Sequence, residues 1–178
     1  MILNKMTLKI LKLASVLAFS VVLLMSSCSV NYSFTGASIS PLVKSIQIDY
    51  FQNNAALVYP PLSQQFTDGL RDKFQSQTNL MIVNQGGDLV IEGQITDYNT
   101  RPTAIQSDDV AALNRLSITV KVTFINKIDE TQSFIDQTFT RYEDYPSTSD
   151  LTSVQETLVQ TINEYLIEDI FNKAVVNW

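Results

Sequence analysis

The chain has 178 residues with 12 basic and 18 acidic side chains, one cysteine and no histidine. A lone cysteine cannot form an internal disulfide, and the absence of histidine removes the commonest general base and a common zinc ligand. Composition therefore excludes histidine-dependent triads and dyads, histidine zinc sites and a disulfide-stabilised fold. We expect no metal and no cofactor.

The first 28 residues differ in composition from the rest of the chain. Three lysines and no acidic residue accompany an apolar run from Leu13 to Met25. This is the pattern of a secretory leader, and the run is shorter than the roughly 20 residues that a membrane-spanning helix needs. Two serines and Cys28 follow, so that residues 24–28 resemble the lipobox of bacterial lipoproteins. We predict a signal peptide over residues 1–27 and a covalent lipid on Cys28. An ordinary leader or a structural thiol is the alternative.

Removal of residues 1–27 from the 178 leaves 151 residues, a usual length for one domain. The leader contains three lysines and no acids, so the mature chain has nine basic and eighteen acidic residues and a net charge of −9. Such a charge repels phosphate backbones. We expect no nucleic-acid partner and no broad adsorption to an anionic membrane. The lipidated cysteine and a polar tether occupy residues 28–42, and residues 43–178 form the domain.

The domain is predicted to begin with a strand and an amphipathic helix. Apolar and polar residues alternate over residues 43–51, with Ile46, Ile48 and Tyr50 on the face predicted to be buried. Large apolar residues then recur every four positions between Leu62 and Gln75, which predicts a helix with one apolar face.

Three further strands are predicted after this helix. The short apolar run Leu80–Val83 can pair briefly with a neighbour, and the strands follow it: a long one from Asp88, the clearest at Asn114–Asn126, and a bulged or edge strand at Gln132–Tyr142. A polar loop is predicted over Asn99–Ala112, between the first two of these strands. The residues of the clearest strand that are predicted to be buried are Leu116, Ile118, Val120, Val122 and Phe124.

A long helix is predicted to close the fold. Thr152 and Gln155 have the spacing of a capping box. The apolar positions after them recur at intervals of three and four: Val154, Leu158, Ile162, Tyr165, Leu166 and Ile170. The order of elements predicts an α+β two-layer sandwich, with two helices packed on one face of a mostly antiparallel sheet of about four strands.

Several segments of the mature chain carry a family resemblance. They are Tyr32–Ile39, Gly87–Gly93, Asn114–Val120, and Ile170–Lys173 with Trp178. In this order and spacing they resemble the Bacteroidota branch of LptE, a family of lipopolysaccharide-assembly lipoproteins. The resemblance implies two helices on a small sheet, and an outer-membrane lipoprotein that partners the LptD β-barrel. Such proteins plug the barrel lumen, help the barrel to assemble, and assist lipopolysaccharide in reaching the outer leaflet.

A protein that contacts lipopolysaccharide needs basic side chains for its phosphates. The candidates are Arg101 in the predicted loop, and Arg115 and Lys121 on the outward parity of the clearest strand. Each can instead be a solvated or ion-paired surface residue. The carboxylate pairs Asp108–Asp109 and Glu143–Asp144 are adjacent residues, typical of solvated charges. The acidic composition favours a role through the barrel partner.

Residues next to the anchor predict where the domain faces. Ser29 follows Cys28, and residues 29–42 carry no charge. In lipoproteins that this chain resembles, a serine there fits release to the outer membrane, and surface-exposed members carry an acidic cluster near the cysteine. We therefore expect the periplasmic side or the barrel lumen. An unrelated periplasmic or surface-exposed binding lipoprotein stays open, as does an enzyme with two carboxyls in one cleft.

Overall fold

The computed structural model describes residues 39–103 and 113–176, which form a six-stranded sheet and two long helices. The strands β1 to β6 are Ser45–Ile48, Gln52–Asn53, Met81–Val83, Leu89–Pro102, Leu113–Asn126 and Phe134–Pro146. The helices α1 and α2 are Leu62–Gln77 and Leu151–Val175, and a 3-10 helix covers Glu130–Gln132. The α+β class and both helices are confirmed. The predicted leader, Cys28 and most of the tether lie outside the described residues.

The sheet is mixed, which corrects the prediction of about four mostly antiparallel strands. The strand order is β3-β1-β4-β5-β6, and β2 also pairs with β4. The long pairs β4–β5 and β5–β6 are antiparallel, whereas β1 runs parallel to β3 and β4, and β2 runs parallel to β4. The parallel part arises because α1 is a crossover that returns the chain to the start of the sheet before β3 begins.

The first predicted strand is interrupted between β1 and β2. Ile48 pairs with Ile91 of β4, and Gln52 pairs with Gln94. The chain therefore takes four steps from Ile48 to Gln52, whereas β4 takes three over the same distance. The extra residue reverses the alternation, so Phe51 is fully buried and Tyr50 is exposed, contrary to the prediction for Tyr50. The Phe51 amide donates a hydrogen bond to Thr67 Oγ1 at 3.1 Å, which ties the break to α1.

The core lies between the sheet and the helices, as the periodicity predicts. All five inward residues of β5 are buried, together with Leu62, Phe66, Leu70 and Phe74 of α1. On α2 the buried stripe contains Ile162, Leu166 and Ile170, whereas Tyr165 is half exposed, so its predicted burial is wrong. The buried residues of the stripe are four apart, and Tyr165 lies beside them on the flank that solvent reaches.

The predicted loop at Asn99–Ala112 is wrong over its first four residues. β4 continues to Pro102, and a register shift between Ile95 and Asp97 places Tyr98 in the core. The Tyr98 hydroxyl accepts a hydrogen bond from Gln155 of α2. Burial raises the pKa of Tyr98. Thr103 follows β4 without regular structure, and the rest of the predicted loop, residues 104–112, lies outside the described residues.

Two other boundaries also differ from prediction. The α2 N-cap is Asp150, whose carboxylate accepts a hydrogen bond from the Thr152 amide, so the predicted capping box is wrong. β6 starts at Phe134 because the 3-10 helix takes up the residues before it. The predicted edge and bulge of this strand are confirmed, since β6 ends the sheet and Asp136 has a φ of 53° at a register shift.

The two ends of the sheet differ in what they carry. Ile39 lies beside Leu89, Asn126 and Ala174, so the tether joins the domain at the end of the sheet where α2 finishes. We call this the tether end. The opposite end, the far end, carries the paired residues Leu113 and Pro146 and the start of α2. Within the described ranges, no helix combines the length and apolar composition that a membrane span requires.

Asp88 joins β1 to β4 at the tether end. Its carboxylate accepts hydrogen bonds from the Lys44 amide at 2.8 Å and from the Ser45 amide and hydroxyl at 3.0 Å. These bonds lower the pKa of Asp88 below its usual value, and the bond from the Lys44 amide has the largest effect. The Asp88 amide donates in turn to Ser45 Oγ, so the two residues hold each other.

The lowered pKa of Asp88 predicts a pH-dependent contribution to stability. Because the pKa is lower in the folded state, the contribution is fully present above the ordinary aspartate pKa and is lost as pH falls through the folded-state pKa. We expect Asp88→Asn to lower the melting temperature at pH 7, and the difference from wild type to shrink as pH falls below about 4. Thermal melts from pH 7 to pH 3 measure this. An equal difference at every pH would contradict the proposed role of the charge.

Candidate functional site: the open face of the sheet

The three basic candidates from the sequence lie on the face of the sheet opposite the core. β5 places Arg115 and Lys121 on the parity opposite its buried residues, and Arg101 pairs directly with Arg115 across β4 and β5. The structure therefore brings Arg101 and Arg115 together near the far end. Lys121 lies six residues further along β5, about 20 Å away at the usual rise per residue.

Arg115 is held by its neighbours on β6. Its guanidinium donates to both oxygens of Asp144 at 2.7 and 2.9 Å. The guanidinium carbon also lies 3.6 Å from the centroid of the Tyr142 ring. The hydrogen bonds raise the pKa of Arg115 and lower that of Asp144. Bidentate pairing and cation–π stacking hold the side chain against β6, so Asp144 competes with a phosphate for Arg115.

Arg101 differs from Arg115 in its surroundings. It is exposed, and no ion pair to it occurs among residues 39–103 and 113–176. Two arginines directly opposite each other repel, and Asp144 offsets one of the two charges. The trio of Arg101, Arg115 and Asp144 thus has a net charge of +1 on an otherwise acidic protein.

Lys121 lies in a groove of about 370 Å³ at the break between β1 and β2. Its ammonium is 4.0 Å from the carboxylate of Asp136. The other side chains that line the groove are polar or acidic and include Asp49, Gln52, Asn54, Glu92 and Gln94. Lys121 is therefore surrounded by acids, which makes it a poor binder of phosphate.

The groove brings several carboxylates together, as an enzyme that uses carboxylates alone would require. A general acid, however, needs an apolar enclosure that favours its protonated form, and this groove is open to solvent and lined by polar groups. No set of three or more metal-ligating side chains occurs among the described residues. The arrangement favours contact with a polar partner over catalysis.

Sequence reasoning missed the groove and the pairing of the two arginines. The outward parity of Glu92 and Gln94 on β4 was available as a signal for one wall. The other wall depends on the β1–β2 break, which no periodicity indicates. Arg101 faces Arg115 only because β4 continues through the predicted loop.

Comparison with solved structures identifies the class of fold. An uncharacterised lipoprotein B from Nitrosomonas europaea superimposes with a TM-score of 0.53 at 12% identity, covering 83% of this chain and 88% of that protein. The hypothetical protein CT253 from Chlamydia trachomatis superimposes with a TM-score of 0.53 at 8% identity, covering 76% and 99%. The chain thus has the same overall fold as these two bacterial proteins.

The family is shown by sequence. The family model described as "LptE: Lipopolysaccharide-assembly" matches residues 43–174, which is nearly the whole described domain. The chain belongs to the LptE family, as its sequence segments predict. No curated protein matches it by overall sequence similarity.

Proposed function

We propose that this protein is an outer-membrane lipoprotein that partners an LptD-type β-barrel and, as its plug and assembly factor, helps lipopolysaccharide to reach the outer leaflet. The observation that carries the proposal is the family match over residues 43–174. The role is a binding role without catalysis, and the one covalent group is the lipid on Cys28. A periplasmic or surface-exposed binding lipoprotein of the same fold is the competing function.

The dimensions of the sheet support a plug. β4 and β5 have 14 residues each, which corresponds to roughly 45 Å at the usual rise of a strand. The hydrocarbon core of a bilayer is about 30 Å thick. Paired strands of this length can therefore reach through the membrane-embedded part of a barrel.

Direct contact with lipopolysaccharide is proposed for the arginine pair at the far end. Arg101 is exposed, and Arg115 lies opposite it, so one phosphate group can be approached by both guanidinium groups. Lys121 is the weaker of the three candidates because acidic side chains surround it. Affinity is expected to be modest, since Asp144 offsets the charge of Arg115.

A tagged pull-down from outer membranes tests the proposed function. We expect a large β-barrel protein and lipopolysaccharide in the eluate, identified by mass spectrometry and by lipid A analysis. Arg101→Ala should retain the barrel and lower the bound lipopolysaccharide, whereas the uncharged control Thr138→Ala on the same face should retain both. An eluate without a barrel would favour the competing function.

Lipidation of Cys28 is tested by substitution. Cys28→Ala removes the acceptor sulfur, so we expect complete loss of lipid labelling and either an uncleaved precursor or a product cut elsewhere. Metabolic labelling with an alkyne fatty acid and intact-mass measurement report both outcomes. Ser29→Ala is the matched control and should be labelled as wild type is. A label retained on the alanine variant would show that the anchor lies elsewhere.

The placement on the periplasmic side is tested on intact cells. Ile39 already packs on the domain, so the eleven steps of chain from Cys28 to Ile39 extend at most about 36 to 40 Å, which suffices for the domain to enter a barrel lumen from below. We expect a protease that cannot cross the outer membrane to leave the protein intact until the cells are permeabilised. Complete digestion without permeabilisation would favour a surface-exposed lipoprotein.

A further inference from the structure

The tether end carries an unusual set of exposed side chains. Three lysines are exposed there, and so are three large apolar residues: Leu42 at 71%, Met81 at 69% and Ile128 at 45%. We call these six residues the tether-end face: Leu42, Lys44, Met81, Lys127, Ile128 and Lys173. Exposed apolar residues next to lysines are the composition of protein surfaces that lie at a membrane interface.

Hydrogen bonds show that most of this face is contiguous. The carboxylate of Asp88 accepts from the Lys44 amide at 2.8 Å, and its carbonyl accepts from the Lys127 amide at 3.0 Å. The Met81 amide donates to the Lys44 carbonyl at 2.9 Å. Leu42 and Ile128 are close in sequence to these residues, and Lys173 in the last turn of α2 shares a groove with Gln132.

The net charge of the tether end differs from the net charge of the remaining chain. Its three lysines are matched by three acids, Asp88, Asp129 and Glu130, so its net charge is zero. The carboxylate of Asp88 is occupied by β1, and that of Asp129 accepts from the Thr131 amide. The whole mature excess of nine negative charges lies elsewhere in the chain. This end therefore contributes nothing to the acidic excess that an anionic surface repels.

The position of the tether identifies the partner of this face. Ile39 lies at this end, beside Asn126 and Ala174, and it is eleven residues after Cys28. A lipid on Cys28 therefore holds this end within about 40 Å of the leaflet.

We infer that the tether-end face rests on the phospholipid leaflet that holds the anchor. Leu42, Met81 and Ile128 lie at the lipid interface, and the lysines meet the lipid phosphates. The inference rests on the lipidation of Cys28 proposed above, and it requires neither the barrel nor lipopolysaccharide. Contact of this face with the leaflet directs the far end, with Arg101 and Arg115, away from it.

Single labelled cysteines in the lipidated protein test this contact. Cys28 loses its free thiol on lipidation, so Ile128→Cys offers one site for a fluorescent label. Leu113→Cys is a matched control at the far end, because Leu113 is 39% exposed and Ile128 is 45% exposed. Both proteins, with lipidation verified by mass, are placed in vesicles of phosphatidylethanolamine and phosphatidylglycerol that contain brominated lipids. We expect at least threefold stronger quenching at position 128 than at position 113.

The lysines are tested in the same vesicles. The triple variant Lys44→Gln, Lys127→Gln and Lys173→Gln should reduce quenching at position 128, and so should omission of phosphatidylglycerol; thermal melts verify that the variant is folded. Equal quenching at positions 113 and 128, or none at 128, would overturn the inference. The inference would also be overturned if the label at position 128 were shielded only when the barrel is added, because the face would then contact the barrel partner. Failure of the barrel pull-down leaves the vesicle result unaffected.

Discussion

Val120→Asp is expected to leave most of the protein unfolded at room temperature. Val120 is fully buried at the centre of β5, paired with Ile95 on one side and Phe139 on the other. A carboxylate there would lose its hydration without gaining a cation. Such a burial costs several kcal/mol, a large part of the roughly 5 to 15 kcal/mol that stabilises a typical domain. Far-ultraviolet circular dichroism and urea titration measure the loss.

The neighbouring residue provides the control for this prediction. Thr119→Asp puts the same charge on the open face, where Thr119 exchanges one hydrogen bond with Thr140. We expect it to cost about 1 kcal/mol. A Val120→Asp protein with the urea midpoint of wild type would show that the helices do not cover this face of β5.

Gly93→Ala is expected to destabilise the fold by about 3 kcal/mol, although it adds only one methyl group. A Cβ at this position would lie 2.3 Å from the carbonyl oxygen of Lys121 and 2.6 Å from the ring of Phe51. The first contact involves backbone in the middle of β5, which cannot move without disturbing the β4–β5 pairing. The second would expel Phe51 from the core position that the β1–β2 break creates.

Urea titration of three proteins separates this effect from a general sensitivity of β4. Gln94→Ala, at the next residue, changes an outward side chain that accepts a hydrogen bond from Asn54. We expect Gln94→Ala to remain within about 1 kcal/mol of wild type and Gly93→Ala to be clearly lower. Equal stability of wild type and Gly93→Ala would mean that Phe51 does not pack over this glycine.

The elements that the sequence predicts well are those with an uninterrupted period. β5 alternates without a fault from Arg115 to Phe124, and α1 repeats its large apolar residues every four positions. In both, one face is buried over this repeating stretch, so the pattern of residues and the pattern of burial coincide there. The family resemblance rests on short segments within and around these elements, and the family match confirms it.

The elements that were predicted poorly contain a residue that shifts the register. One extra residue before Phe51 reverses the alternation between β1 and β2, so Phe51 is buried in place of Tyr50. Another extra residue after Ile95 reverses the alternation within β4, so Tyr98 is buried in place of Asp97. A bulge is stabilised by packing from other elements, here by α1 around Phe51 and by Gln155 of α2 at Tyr98. The local sequence pattern does not indicate those packing partners.

By itself, the sequence determined the α+β class, the two helices, the inward face of β5 and the acidic character of residues 28–178. The tertiary structure decided which strands are parallel, that Arg101 faces Arg115, and that Asp144 holds Arg115. It also decided where the charge lies, because folding places three lysines and three apolar side chains beside the tether and the acidic excess elsewhere. Composition records only the sum of charges. Their separation depends on strand register and crossovers, which place residues distant in sequence on one surface.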